Sequence, residues 1–179
     1  MAAIGNSALR GAAFTQLAKI YFRQADPELA AHYAQKALNC NGANLTALQI
    51  LYLASGKGMD KILELNPLSH FAAAVKFLSG EFTAAQLRAT FQEEIAWQDY
   101  LEIALFYREL GLEKQALAIL EALPRQNALT ALWAAYLRCD KSLIAKAQAC
   151  SMDFVFPFRQ ESSAPLSWAI DAASLIRIS

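Results

Sequence analysis

The sequence predicts an all-α protein, an array of about five antiparallel helix pairs followed by a C-terminal helix, and three observations carry that expectation. Ala and Leu dominate an apolar fraction of 56%, whereas valine occurs only at Val75 and Val155; helix formers abound and the β-branched residues of sheets are scarce. Apolar residues recur at helical spacing along most of the chain. Between these stripes, Pro, Gly, Asn and Asp fall where helices start and stop. A length of 179 residues suits one domain with a sizeable core rather than two.

The elements follow in order. After a lead-in over 1–7, Phe14, Leu17, Ala18 and Tyr21 share one face of a first helix. Asp26 is placed to cap its partner and Pro27 to occupy the first helical position. Ala30, Ala34, Ala37 and Leu38 line that partner, which ends over Asn39–Gly42. Leu48, Leu51 and Tyr52 mark a second first-helix, and Gly56 and Gly58 leave room only for a brief partner over about 59–65. Asn66 is expected to cap the next helix, striped by Phe71, Ala74, Val75 and Leu78, with a partner over about 83–92 presenting Leu87 and Phe91.

The opening pattern then returns. Tyr100, Ile103, Ala104 and Tyr107 stripe one helix, Gly111 marks a turn, and Ala116, Leu120 and Leu123 stripe the next before Pro124. Small Ala faces let two helix axes approach closely, while the bulkier residues fill the space between successive pairs. Trp133, Ala134 and Leu137 begin a fifth pair, whose short partner is capped by Asp140 and carries Leu143, Ile144 and Ala147. Repeats thus cover 8–150, with first helices starting near Gly11, Leu45, Leu68, Trp97 and Asn127. Over 151–179 come the aromatic-rich turn Phe154–Phe158 and a helix of about 165–178 with Trp168, Ala169, Ala172, Leu175 and Ile176 on its apolar face. That helix ends without a polar outer layer, which stacked arrays normally need, so the segment is expected to continue in a longer parent or to pack against something.

Composition also narrows function. Lys+Arg and Asp+Glu both total 16, so the one-sided charge that draws proteins to nucleic acid or anionic lipid is missing; neither nucleic acid nor membrane is expected as a partner. Charged or polar residues interrupt every helical candidate before a membrane-spanning length is reached. No signal peptide is visible, and Cys40, Cys139 and Cys150 read as reduced thiols, which favours the cytoplasm. His32 and His70 are too far apart to suggest a zinc site, so no metal or cofactor is expected. Ser55–Gly58 lacks the spacing of a phosphate-binding loop, and the Asn44-Leu45-Thr46 triplet opens a helix rather than a glycosylated loop. Glu93, Glu94, Asp99 and Glu102 suit the acidic start of a helix better than a carboxylate pair for glycoside chemistry. The aromatic stripes read as core rather than as a stacking platform. No catalytic residue is assigned and the chain is read as not an enzyme.

The two well-formed pairs, Phe14-x2-Leu17-Ala18-x2-Tyr21 with Ala30-x3-Ala34-x2-Ala37 and Tyr100-x2-Ile103-Ala104-x2-Tyr107 with Ala116-x3-Leu120-x2-Leu123, resemble the tetratricopeptide repeat family, the middle repeats being shorter than usual. The phrases Asn66–Ala72 and Asp153–Arg159 look like the repeat region of large bacterial proteins that also carry a β-sandwich domain of unknown function. The resemblance implies a right-handed α-solenoid whose concave face, lined by the first helix of each pair, binds a protein, a peptide or a neighbouring domain of the same parent chain. It makes Thr15, Lys19, Arg23, Gln49, Lys76 and Arg108 the candidate partner-binding residues. The carboxylate clamp of some members is largely absent, since the inward positions read Thr15, Lys19, Ile50, Leu53, Gln98 and Glu102. The expected function is a non-catalytic interaction scaffold; the alternative is an accessory repeat domain of a larger carbohydrate-related bacterial protein.

Overall fold

The structure, a computed structural model, describes residues 2–91, 96–124 and 128–138, with side chains from Ser7 onward except Ala128. Among the described residues there are nine helices and no strand: α1 (Ala2–Arg23), α2 (Pro27–Cys40), α3 (Leu45–Ser55), α4 (Met59–Leu65), α5 (His70–Leu78), α6 (Ala84–Arg88), α7 (Ala96–Glu109), α8 (Glu113–Glu121) and α9 (Ala128–Leu137). The protein is all-α. Glu93, Glu94, Cys139, Cys150, the partner helix after Asp140, the aromatic turn and the C-terminal helix lie outside the described residues.

Local chemistry explains most boundaries. Helix α1 takes in residues 2–7 of the expected lead-in, then turns at Ala25, which holds φ 58, while the N–H of Asp26 donates to the carbonyl of Tyr21 at 3.0 Å. Asp26 caps α2 by accepting from the N–H of Leu29 at 2.9 Å, with Pro27 at the first turn. Ala30, Ala34 and Ala37 are fully buried, and the small faces bring α1 and α2 together: a Cβ at Gly11 would stand 3.2 Å from that of Cys40. Asn44 caps α3, accepting from the N–H of Ala47 at 3.0 Å.

Two expectations need correction in the middle. Asn66 ends α4 instead of starting α5, and Ser69 caps α5 by accepting from the N–H of Ala72. Pro67 follows Asn66 directly, and reversing the chain takes a further turn in which the N–H of Ser69 donates to the Asn66 carbonyl at 3.1 Å. Helix α6 is also shorter than the expected 83–92. Thr83 and Gln86 form a reciprocal capping box at its start, but the Thr90 hydroxyl donates back to the Leu87 carbonyl at 2.7 Å, competing with continued helix.

Packing is most extensive between consecutive helices, α1 with α2, α2 with α3, and α7 with α8. The larger apolar cluster runs from Leu48 and Ile62 through Phe71, Leu87 and Tyr100 to Ile119, Leu120 and Ala134. A smaller one joins Ala18, Ala30, Ala34 and Ile50 to Leu110 at the end of α7. Phe71 ties the middle of the chain to its neighbours: its ring meets Tyr52 of α3 edge-on at 6.1 Å and Phe106 of α7 at 5.9 Å, and stacks on Tyr107 at 6.3 Å.

Candidate functional site

The six candidate residues belong to α1, α3, α5 and α7, the first helices of their pairs, and the fold uses them differently. Thr15 is buried, and its hydroxyl donates to the Gly11 carbonyl at 2.9 Å while accepting from Asn44 Nδ2 at 3.0 Å. Its polar atom therefore joins α1 to the cap of α3 and is not offered to a partner. Lys19 Nζ pairs with Glu109 Oε2 of α7 at 2.5 Å, across 90 positions of sequence. Of the two, Glu109 is the more open, with a side chain 51% exposed against 18% for Lys19.

Arg23 is exposed, and its Cγ lies 3.7 Å from where a Cβ on Gly111 would sit. Gly111 holds φ +79, a left-handed conformation that a side chain would strain, and it lets the α7–α8 turn come this close to α1. Gln49 is half-buried on α3. Lys76 is exposed on α5 with its ammonium 5.2 Å from the centre of the Phe82 ring.

Arg108 has the richest surroundings. Its guanidinium lies 5.0 Å from the Trp133 ring centre and 5.2 Å from that of Tyr136, and Nη2 donates to the Tyr136 hydroxyl at 3.3 Å. Trp133 and Tyr136 meet edge-on, so two rings on one face of α9 hold the cation by π attraction and a hydrogen bond together. Beneath it a shallow crevice is lined by Leu101, Ala104, Leu105, Leu120, Trp133 and Leu137. Nearby, Arg138 pairs with Glu121.

A separate polar group lies between α5 and α7. His70 Nδ1 is 3.7 Å from Asp99 Oδ1, and the His70 ring packs on Phe91 at 4.5 Å, which in turn meets Tyr100 at 4.4 Å. Tyr100 is fully buried, and its hydroxyl has no hydrogen-bond partner. Burial raises its pKa to about 12, partly offset by the positive charge of Arg88. Burial raises Tyr107 as well, with the neighbouring Tyr52 adding to it. Both phenols are neutral at ordinary pH.

Lys19 is thus brought to Glu109 and Arg23 to the Gly111 turn, whereas Lys76 and Arg108 have aromatic partners of their own. Sequence reasoning did not connect Glu109 to Lys19, because no spacing rule links an acidic residue at one helix end to a lysine three repeats away. The Trp133–Tyr136 cradle was readable in part, since an i, i+3 aromatic pair shares a helix face, but which cation it holds depends on how α9 crosses α7. Among the described residues, no three His, Cys, Asp or Glu side chains gather as a metal site, and no helix is long and apolar enough to cross a membrane. Compared with protein-family models, curated proteins and solved structures, the chain matches none of them.

Proposed function

We propose that this chain is a non-catalytic interaction scaffold, a right-handed α-solenoid of tetratricopeptide type that binds a protein, a peptide or a neighbouring domain of its parent. The observation that supports the reading is the packing of helices one on the next, α1 with α2 and α3, α7 with α8, and α8 with α9. Such an order builds long surfaces out of successive first helices. Lys76 and Arg108, each resting against aromatic rings, are the polar contacts best placed to receive an acidic segment.

The test is cross-linking of the full chain in its native lysate, followed by titration of each recovered partner against the wild type and an Arg108→Gln, Lys76→Gln double variant. A partner whose affinity drops at least about tenfold in the double variant, roughly 1.4 kcal/mol, supports the reading. Recovery of no partner, or of partners indifferent to both substitutions, removes it.

A further inference from the structure

We propose that two copies of this chain pair through the exposed face of α1, the two helices lying antiparallel so that Leu9 of each copy meets Ile20 of the other. The contact involves neither Lys76 nor Arg108 and is independent of the function proposed above.

One face of α1 is uncharged, largely apolar and open to water. Leu9, Ala13, Gln16 and Ile20 follow one another at steps of four, three and four, which set them on one side of the helix, and Ala12 lies one turn from Gln16 on the same side. All five are exposed, Leu9 at 73% and Ile20 at 48%, while Thr15 and Ala18 are buried on the opposite side. None of the five carries a charge. Exposed positions on other helices do: α4 shows Asp60, Lys61 and Glu64 to water, and α8 shows Glu113, Lys114 and Glu121. A continuous uncharged face with a large apolar side chain at each end is the mark of an interaction surface.

The spacing of this face is its own complement. Reversed about the midpoint between Phe14 and Thr15, α1 places Leu9 where Ile20 was and Ala13 where Gln16 was. A second α1 laid antiparallel therefore sets Leu9 against Ile20 at both ends, and the small Ala12 and Ala13 near the middle let the two axes approach closely. By two-fold symmetry each contact is made twice.

Charge agrees with the same register. Arg10 falls level with Lys19 of the second copy, but the two leave α1 on opposite edges, and Lys19 is already paired with Glu109. On Arg10's own edge, three turns along, stands Tyr21, its ring stacked on Tyr33 at 5.2 Å. The guanidinium of each copy is thus brought beside a tyrosine of the other, a favourable pairing. With two large side chains and three smaller ones per copy, the interface falls below about 1,200 Å2, in the class of weak contacts that depend on concentration.

Sedimentation equilibrium of the full chain over about 5–500 μM provides the test. The wild type should rise from its monomer mass of 19.6 kDa toward twice that value. Leu9→Glu and Ile20→Lys alter exposed positions, so each should keep the wild-type circular dichroism spectrum and urea midpoint while weakening association at least about tenfold. An equimolar mixture of the two variants should regain association, because the new carboxylate meets the new ammonium at one end and Leu9 meets Ile20 at the other. A wild type that stays at monomer mass throughout overturns the proposal, whatever else covers this face. Association that survives both substitutions overturns it too, as does a mixture no heavier than either variant alone.

Discussion

Phe71 offers the most demanding check on how the middle of this chain is assembled. It is 3% exposed and its ring touches Tyr52, Phe106 and Tyr107, so α3, α5 and α7 meet on one side chain. Phe71→Ala removes that ring from a site bounded by three helices, which limits collapse, and the expected cost is about 3–5 kcal/mol. Phe71→Leu keeps most of the apolar burial but loses the three ring contacts, and with aromatic pairs worth about 0.5–1.5 kcal/mol apiece the expected cost is at least about 1.5 kcal/mol and below that of the alanine variant. Against a total stability of about 5–15 kcal/mol, the alanine variant should lose a large fraction of its margin. With a urea slope near 2 kcal/mol/M, its midpoint should fall by about 1.5–2.5 M when unfolding is followed by far-ultraviolet circular dichroism. A loss under about 1 kcal/mol at unchanged slope would show that Phe71 does not join three helices. A clear drop in slope would show instead that the two halves unfold separately once the ring is gone.

Three further outcomes can be checked on the same chain. Ala25 holds a left-handed φ of 58 at the end of α1, so Ala25→Gly should raise stability by about 1 kcal/mol, read as an upward shift of the urea midpoint. Asn44→Ala removes both the cap of α3 and the donor to Thr15 and should cost about 1–2 kcal/mol; restoring the cap alone with Asn44→Asp should recover part of that loss. Tyr100 and Tyr107 keep their protons to higher pH in the folded state than the ordinary value of 10.0. The stability they contribute is therefore complete below pH 10 and lost as pH rises from 10 toward about 12. Phenolate absorbance should show these two groups titrating late, together with loss of helical signal, and titration of Tyr100 near its ordinary value with the fold intact would contradict its burial.

Local signals were strong wherever an element is decided by its own residues. Asp26-Pro27 marks the start of α2 because a carboxylate and a fixed φ satisfy the first turn without outside help. The small residues Ala30, Ala34 and Ala37 marked a buried face for the same reason, since any close helix partner selects them. The brief α4 was legible in Gly56 and Gly58 before it and Asn66-Pro67 after it. Asn66 misled because Asn serves either end of a helix, and the choice went to Ser69 through the turn that Pro67 imposes. Phe14 and Tyr21 were expected in the core with Ala18; they are half-buried, their rings placed with Tyr33 on the neighbouring helix.

Helical class, the places of most helices and the Asp26 cap were determined by the sequence alone, because propensity, periodicity and capping act within a few residues of each other. What became of the candidate binding residues was decided by the tertiary structure. Thr15 turned inward to Asn44, Lys19 crossed to Glu109, and Arg108 came to rest between Trp133 and Tyr136. Each outcome depends on where a helix many residues away crosses, and that position is set by the volumes packed between helices rather than by the spacing of letters along the chain.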